Sequence, residues 1–184
     1  MNTLFFLKKK IKNISFISFV INESFQLIFF IPNLIPGIIG IFLRGIVLKV
    51  FLKSSKGLPF SQPNIIIQYP QLLSVGKNFG CNCGTYINAI GGIYIGDNVL
   101  LSTNVVISSG YHSIKNKFPP IYERTTKLKN IIIEDDVWIG SNSTILPGIK
   151  LGTGSVIGAN TLVIKNTDKY KIYSGVPAKI INER

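Results

Sequence analysis

The chain contains one histidine, His112, in the stretch SSGYHSIK from Ser108 to Lys115. A neutral imidazole accepts a proton near neutral pH, which makes a loop histidine a candidate general base. Ser108 and Ser109 stand close by, but no acid is spaced in sequence to complete a Ser–His–Asp arrangement, so both read as turn residues. Cys81 and Cys83 with a single histidine do not make a four-ligand zinc site; Cys81 reads as a small core residue and Cys83 as a corner residue. Placed one residue apart they form no useful disulfide, and reduced thiols suit the cytoplasm. The acids at 134–136, EDD, are one cluster without a second ligand set, and no metal is expected.

The elements that position His112 are written in a period of six. One apolar residue recurs at Ile133, Ile139, Ile145, Leu151, Ile157 and Val163, and a small or β-branched residue precedes each later one by two: Val137, Ser143, Ile149, Ser155, Thr161. Upstream the rhythm runs Val75, Cys81, Ile87, slips by two, and resumes at Ile95, Leu101, Ile107. Six is no helical period, and a plain alternating strand does not explain glycine at one fixed phase. Short strands that each end at a corner do, with the apolar residue inward and Gly, Asp or Asn turning the corner. The fold class is therefore all-β: a parallel β-helix of hexapeptide repeats, three strands per coil, about five coils. The expected organisation is a basic, hydrophobic, helical segment over 1–60, the β-helix over 61–172 with a catalytic loop at 108–130, and a tail over 173–184.

Between Ile107 and Ile133 the rhythm fails, over a segment that holds Tyr111, His112, Pro119, Pro120 and Tyr122 with several cations. A long excursion from a compact solenoid is uncommon without a function, which raises the standing of His112.

Formal net charge is +12, from 20 Lys and Arg against 8 Asp and Glu, and residues 1–60 carry eight of the cations (Lys8, Lys9, Lys10, Lys12, Arg44, Lys49, Lys53, Lys56) against Glu23 alone. A basic, apolar start points to an anionic membrane surface rather than to nucleic acid, since no basic groove interleaved with aromatics is present. Phe25 to Leu43 is free of charge and reaches the length of a span, but Pro32, Asn33, Pro36, Gly37 and Gly40 interrupt a straight helix. Residues 14–53 read as two short helices around IPNLIPG that pack on the domain, lie in the inner membrane face, or span it. A signal peptide is not expected, because the apolar run starts late and no small-x-small cleavage site follows it.

The run IIIEDDVWIGSNSTILPGIKLGTGSVIGANTLVIKN, followed by YSGVPAKII, resembles the hexapeptide-repeat acyltransferases. It is most similar to the branch of galactoside and maltose O-acetyltransferases and of capsule, lipopolysaccharide and exopolysaccharide O-acetyltransferases, over about residues 64–184. The resemblance implies a left-handed β-helix, a homotrimer, acetyl-CoA as donor and a carbohydrate acceptor. It implies a catalytic histidine in the loop before VWIG, for which His112 is the one candidate. It places Ser141, Ala159, Ile164, Lys165 and Lys179 along the coenzyme, with the Ser141 N–H toward the oxyanion, and Asn88 toward the acceptor. The residues flanking His112 differ from the sugar-specific versions. Trp138 reads as a packing residue.

The reading that follows is acetyl transfer to a sugar hydroxyl of a cell-surface polysaccharide or lipopolysaccharide precursor, in the cytoplasm and at the inner membrane face. The alternative is a soluble acetyltransferase for a free sugar, an amino sugar nucleotide or an antibiotic, since fold alone does not choose. In that case the N-terminal helices cap the open end of the solenoid. A metal-dependent enzyme of this fold needs three imidazoles per site, which one histidine per chain supplies only around a trimer axis. A catalytically silent scaffold would leave His112 dispensable.

Overall fold

The structure, a computed structural model, describes residues 15–115 and 117–184, with Tyr122 by its backbone alone. Lys8, Lys9, Lys10 and Lys12 lie outside the described residues.

Three parallel sheets form the walls of a β-helix. The first sheet takes Ser54–Ser55, Leu73–Val75, Ile93–Ile95, Ile131–Ile133 and Lys150–Leu151. The second takes Phe60–Ser61, Gly80–Cys81, Leu100–Leu101, Trp138–Ile139, Val156–Ile157 and Lys171–Ser174, and ends with Lys179–Glu183, which returns antiparallel. The third takes Ile66–Gln68, Tyr86–Asn88, Val106–Ser108, Thr144–Ile145 and Leu162–Val163. The register stacks the hexad positions on one another: Val75 on Ile95, Ile95 on Ile133, Ile133 on Leu151. Every apolar position of the hexads, from Val75 to Val163, is buried, as are Val137, Ser143, Ile149, Ser155 and Thr161 two residues earlier. Corners turn on left-handed residues, among them Asn98, Asp136, Asn104, Asn142 and Asn160. Asparagine tolerates that conformation and its amide links coils, as Asn104 Nδ2 donates to Asn142 Oδ1 at 3.2 Å.

Strand pairing begins at Ser54–Ser55, upstream of residue 61. The inward positions of this first coil are Ser55, Ser61 and Ile67, so two of three hexad sites carry a hydroxyl and the apolar rhythm is silent there. The slip by two is a longer corner between the third and first sheets: Ile67 to Val75 and Ile87 to Ile95 are both eight residues. The long excursion leaves from that same corner one coil later.

The N-terminal segment forms two helices, α1 (Phe16–Leu34) and α2 (Gly37–Phe51), broken at Ile35–Pro36. Their polar residues cap the open edge of the first coil. Gln26 Nε2 donates to the Ile67 carbonyl at 2.7 Å, Asn33 Nδ2 to the Ile65 carbonyl at 2.9 Å, and Arg44 Nε to the Ser61 carbonyl at 3.0 Å. Asn22 Oδ1 accepts from the Tyr69 N–H at 2.7 Å. A terminal coil has backbone groups with no next strand, and these side chains take that strand's place. Asn22, Gln26 and Asn33 fall on the α1 face that also buries Phe25 and Phe29. Gly40 permits the helix crossing: a Cβ there would meet the Ile35 carbonyl oxygen at 1.8 Å.

The acids of EDD are structural. Asp135 Oδ1 accepts from the Asp97 N–H at 2.7 Å, and Asp136 pairs with Arg184 at 2.9 Å. Glu134 faces Lys150 Nζ at 2.6 Å and accepts from the Thr153 N–H and Oγ1 at 2.8 and 2.7 Å. Lys150 first, then Thr153, hold its carboxyl at about 2, below the ordinary 4.5. A depressed carboxylate stabilises the fold above its ordinary range and loses that contribution as pH falls through its folded value. Glu134→Gln is therefore expected to melt below wild type at pH 7, with the gap closing as pH is lowered from about 4.5 to about 2; thermal melts across that range check it.

Candidate active site

The excursion is a hairpin. Gly110–His112 pairs antiparallel with Thr126–Leu128, and His112 is in register with Thr126. His112 and Tyr111 are exposed, and Lys129 Nζ lies 5.9 Å from the Tyr111 ring centre. Arg124 closes the loop beyond the hairpin, donating from Nε to the Pro119 carbonyl at 2.7 Å and from Nη1 to the Ser113 carbonyl at 3.0 Å.

Its root is fixed by a residue the sequence offered only as a turn. Ser109 is fully buried; its Oγ donates to the Asn88 carbonyl at 2.9 Å and accepts from the Gly91 N–H at 2.8 Å. The Ser109 carbonyl accepts from the Lys129 N–H at 2.9 Å, which ties both ends of the hairpin together. Gly91 lies so close that a Cβ would meet the Ser109 carbonyl oxygen at 2.4 Å. Removing the hydroxyl leaves the part-buried Gly91 N–H without its partner, while the Asn88 carbonyl keeps the Ser109 N–H at 3.0 Å, so the cost is about 1 kcal/mol. Ser109→Ala is accordingly expected to lower both the melting temperature and kcat, measurable by melting and steady-state kinetics. A fall in stability with kcat intact would mean that His112 does not depend on this root.

Asn88 is half-buried in the strand beside Ser108, and its Oδ1 accepts from the Ile90 N–H at 3.2 Å. That bond shapes the corner against which Ser109 packs.

Ser141 and Ala159 occupy one corner in successive coils, between the second and third sheets, and the Ser141 carbonyl accepts from the Asn160 N–H at 2.8 Å. Among the described residues neither the Ser141 nor the Ala159 N–H donates a hydrogen bond within the chain. Two free, stacked donors beside small side chains are able to receive a carbonyl oxygen or an oxyanion. Ile164 and Lys165 are exposed at the far end of the third sheet, just after Leu162–Val163. The tail brings Lys179 to the same coil: the Leu162 N–H donates to the Gly175 carbonyl at 3.1 Å, and the Ala178 N–H donates to the Leu162 carbonyl at 2.9 Å.

Within one chain, then, Ala159 stands at the entry corner and Ile164 and Lys165 at the exit corner of the third sheet in the fifth coil, Lys179 follows on the tail tied to Leu162, and Ser141 lies one coil below Ala159. The hairpin root leaves the exit corner of the third sheet, while Ser141 sits at its entry corner. Trp138 faces outward from the second sheet, half-exposed, with Nε1 donating to Ser102 Oγ at 3.0 Å. It borders a shallow depression with Leu100, Asp136, Val156 and Arg184, on a different wall from the hairpin. No group of three or more His, Cys, Asp or Glu side chains able to hold a metal occurs among the described residues.

The profile described as the hexapeptide repeat of succinyl-transferase matches residues 73–109 and 130–165, and its gap is the hairpin. The chain is 34% identical over 122 residues to a galactoside O-acetyltransferase of Escherichia coli K12, covering 66% of this chain and 59% of the relative. It is 34% identical over 113 residues to a candidate lipopolysaccharide biosynthesis O-acetyl transferase of the same strain, covering 58% of each. A galactoside acetyltransferase solved in complex with coenzyme A superposes with a TM-score of 0.82 at 26% identity, over 90% of this chain and 82% of that one. The chain spans about six-tenths of the length of the curated relatives it matches.

Proposed function

We propose that this protein transfers an acetyl group from acetyl-CoA to a sugar hydroxyl, with His112 as general base. One observation carries the reading: the family match breaks over the hairpin that presents the chain's only histidine. The acceptor hydroxyl donates to a ring nitrogen of His112, and its oxygen attacks the thioester carbonyl as the imidazole takes the proton. The tetrahedral oxyanion is held by the Ser141 N–H. Collapse breaks the C–S bond, and the imidazolium returns the proton to the departing CoA sulfur. No acyl-enzyme forms, and Ser108 and Ser109 remain structural.

Ala159, Ile164 and Lys165 line the coenzyme, and Lys179 meets its phosphates. Because the hairpin and Ser141 stand at opposite corners of one sheet, the complete site forms in a groove between neighbouring copies of a left-handed homotrimer. The acceptor is a cell-surface polysaccharide or lipopolysaccharide precursor, contacted by Asn88, and the protein works in the cytoplasm, where its free thiols stay reduced. Likeness to a galactoside and a candidate lipopolysaccharide acetyltransferase supports the sugar acceptor. The test is acetyl-CoA turnover against sugars and glycosides with product identification: an acetylated sugar is expected, and an acetylated amine or antibiotic with every sugar inert would overturn it.

A further inference from the structure

The two helices that cap the first coil have opposed faces. The inner face is engaged with the β-helix through Asn22, Phe25, Gln26, Asn33, Arg44 and Leu48. The outer face is bare: Leu27, Phe30, Ile31, Ile38, Ile39 and Val50 are all more than half exposed. Thirteen of the thirty large hydrophobic residues exposed among the described residues lie on these two helices. Their spacing, 27, 30, 31, 34 on α1 and 38, 42, 46, 50 on α2, keeps them on one side of each helix, and the helices pack against each other. Folded chains rarely leave so large an apolar surface without a partner.

Charge identifies the partner. Glu23 is the one acid on the two helices; with Arg44 buried against the first coil and Lys56 paired with Asp97, the exposed cations here are Lys49 and Lys53, at the end of α2. Between Leu27 and Leu34 the one side chain able to hydrogen-bond is Asn33, which is directed inward to Ile65. A face of aliphatic and phenyl groups, with Lys49 and Lys53 at its edge, fits the interior and headgroups of an anionic bilayer. The inward polar residues hold both helices to the first coil, so they lie along the membrane surface rather than across it.

We propose that the outer face of α1 and α2 docks this protein on an anionic membrane surface. The hairpin leaves after the third coil, and coils rise about 4.8 Å, so its root stands roughly 10 Å beyond the first coil. On the acetyl-transfer reading above, that height suits a short glycan carried on a lipid.

The test is co-sedimentation of the whole chain with vesicles of phosphatidylcholine, or of phosphatidylcholine and phosphatidylglycerol at a 3:1 ratio. Wild type is compared with Leu27→Glu/Ile31→Glu/Ile38→Glu and with Lys49→Glu/Lys53→Glu. Wild type is expected to bind the anionic vesicles more strongly, with binding reduced by salt. The triple variant is expected to lose binding at least tenfold with its melting temperature held within a few degrees, and the lysine variant to lose the preference for anionic lipid. Wild type left in the supernatant, or a folded triple variant that binds equally, would overturn the proposal. So would a concentration-dependent self-association without vesicles that the triple variant abolishes while vesicle binding persists. Acetyl transfer to a soluble glycoside, measured in the same proteins, separates the two readings: the triple variant should match wild type there, and failure of both proteins counts against acetyl transfer while the docking result stands on the vesicles.

Discussion

Replacement of His112 by alanine is expected to lower kcat for acetyl transfer by about 10²–10⁴-fold, the usual contribution of a positioned general base. The KM for acetyl-CoA should stay near wild type, because the residues assigned to the coenzyme lie on the fourth and fifth coils and the tail, not on the hairpin. Stability should change little: His112 is exposed, and its backbone pairing with Thr126 does not need the ring. This combination of lost turnover with retained melting temperature and coenzyme binding separates a base from a packing residue. Ser109→Ala, by contrast, should lose stability and turnover together, since it acts through the root of the hairpin.

The largest expected loss of stability comes from Arg44. It is fully buried, and its guanidinium reaches three carbonyls: Ser61 on the first coil at 3.0 Å, Pro32 at 2.8 Å and Ile35 at 2.6 Å at the end of α1. It thus ties α1, α2 and the edge of the β-helix at one point. Burial lowers its pKa, and Cys81 nearby offers no counter-charge, because complete burial pushes that thiol up to about 12. Among the described residues its guanidinium meets only backbone carbonyls, through Nε and Nη1, and Nη2 is buried without a hydrogen-bond partner. Arg44→Ala takes the side-chain donor from the Ser61 and Ile35 carbonyls, leaves Pro32 only the Ile35 N–H at 3.3 Å, and opens a cavity, at an expected cost of roughly 3 kcal/mol or more. For a chain of this size that is a fall in melting temperature of about 6–12 °C. Arg44→Lys should not restore it, because one ammonium does not reproduce the planar fork. Calorimetry of the three proteins decides it: a shift under about 2 °C in Arg44→Ala would mean the helices are not integral to the fold. The same geometry explains why deleting residues 1–53 is a poor probe of membrane binding, since the deletion also uncovers the first coil.

The β-helix was legible because each hexad puts an aliphatic residue in the same inward place, and one apolar residue per strand is a signal that survives without an alignment. The first coil was not legible, since Ser55 and Ser61 fill its inward sites. Asn22, Gln26 and Asn33 could be seen in the sequence only as interruptions of an apolar run; their purpose depends on a sheet edge dozens of residues away. The excursion announced itself by the loss of rhythm, and with it His112. Its antiparallel pairing did not, because Thr126–Leu128 carries no alternation of its own. Ser109 was missed as an anchor: burial distinguishes its hydroxyl from that of Ser108, and burial at a break in a repeat leaves no mark in sequence. The residues assigned to the coenzyme came from resemblance, and the fold adds a physical reason to propose Ser141 and Ala159 in their stacked N–H groups, which are unpaired among the described residues.

The most direct test of the central claim is CoA release by wild type and His112→Ala, with acetyl-CoA, in the presence and absence of a panel of sugars, glycosides and lipid-linked oligosaccharides. Acetyl transfer through His112 predicts release that requires a hydroxyl acceptor, an O-acetylated product in matching amount, and loss of both in the variant. Release of equal size from the two proteins, or release that ignores the acceptor, would contradict it.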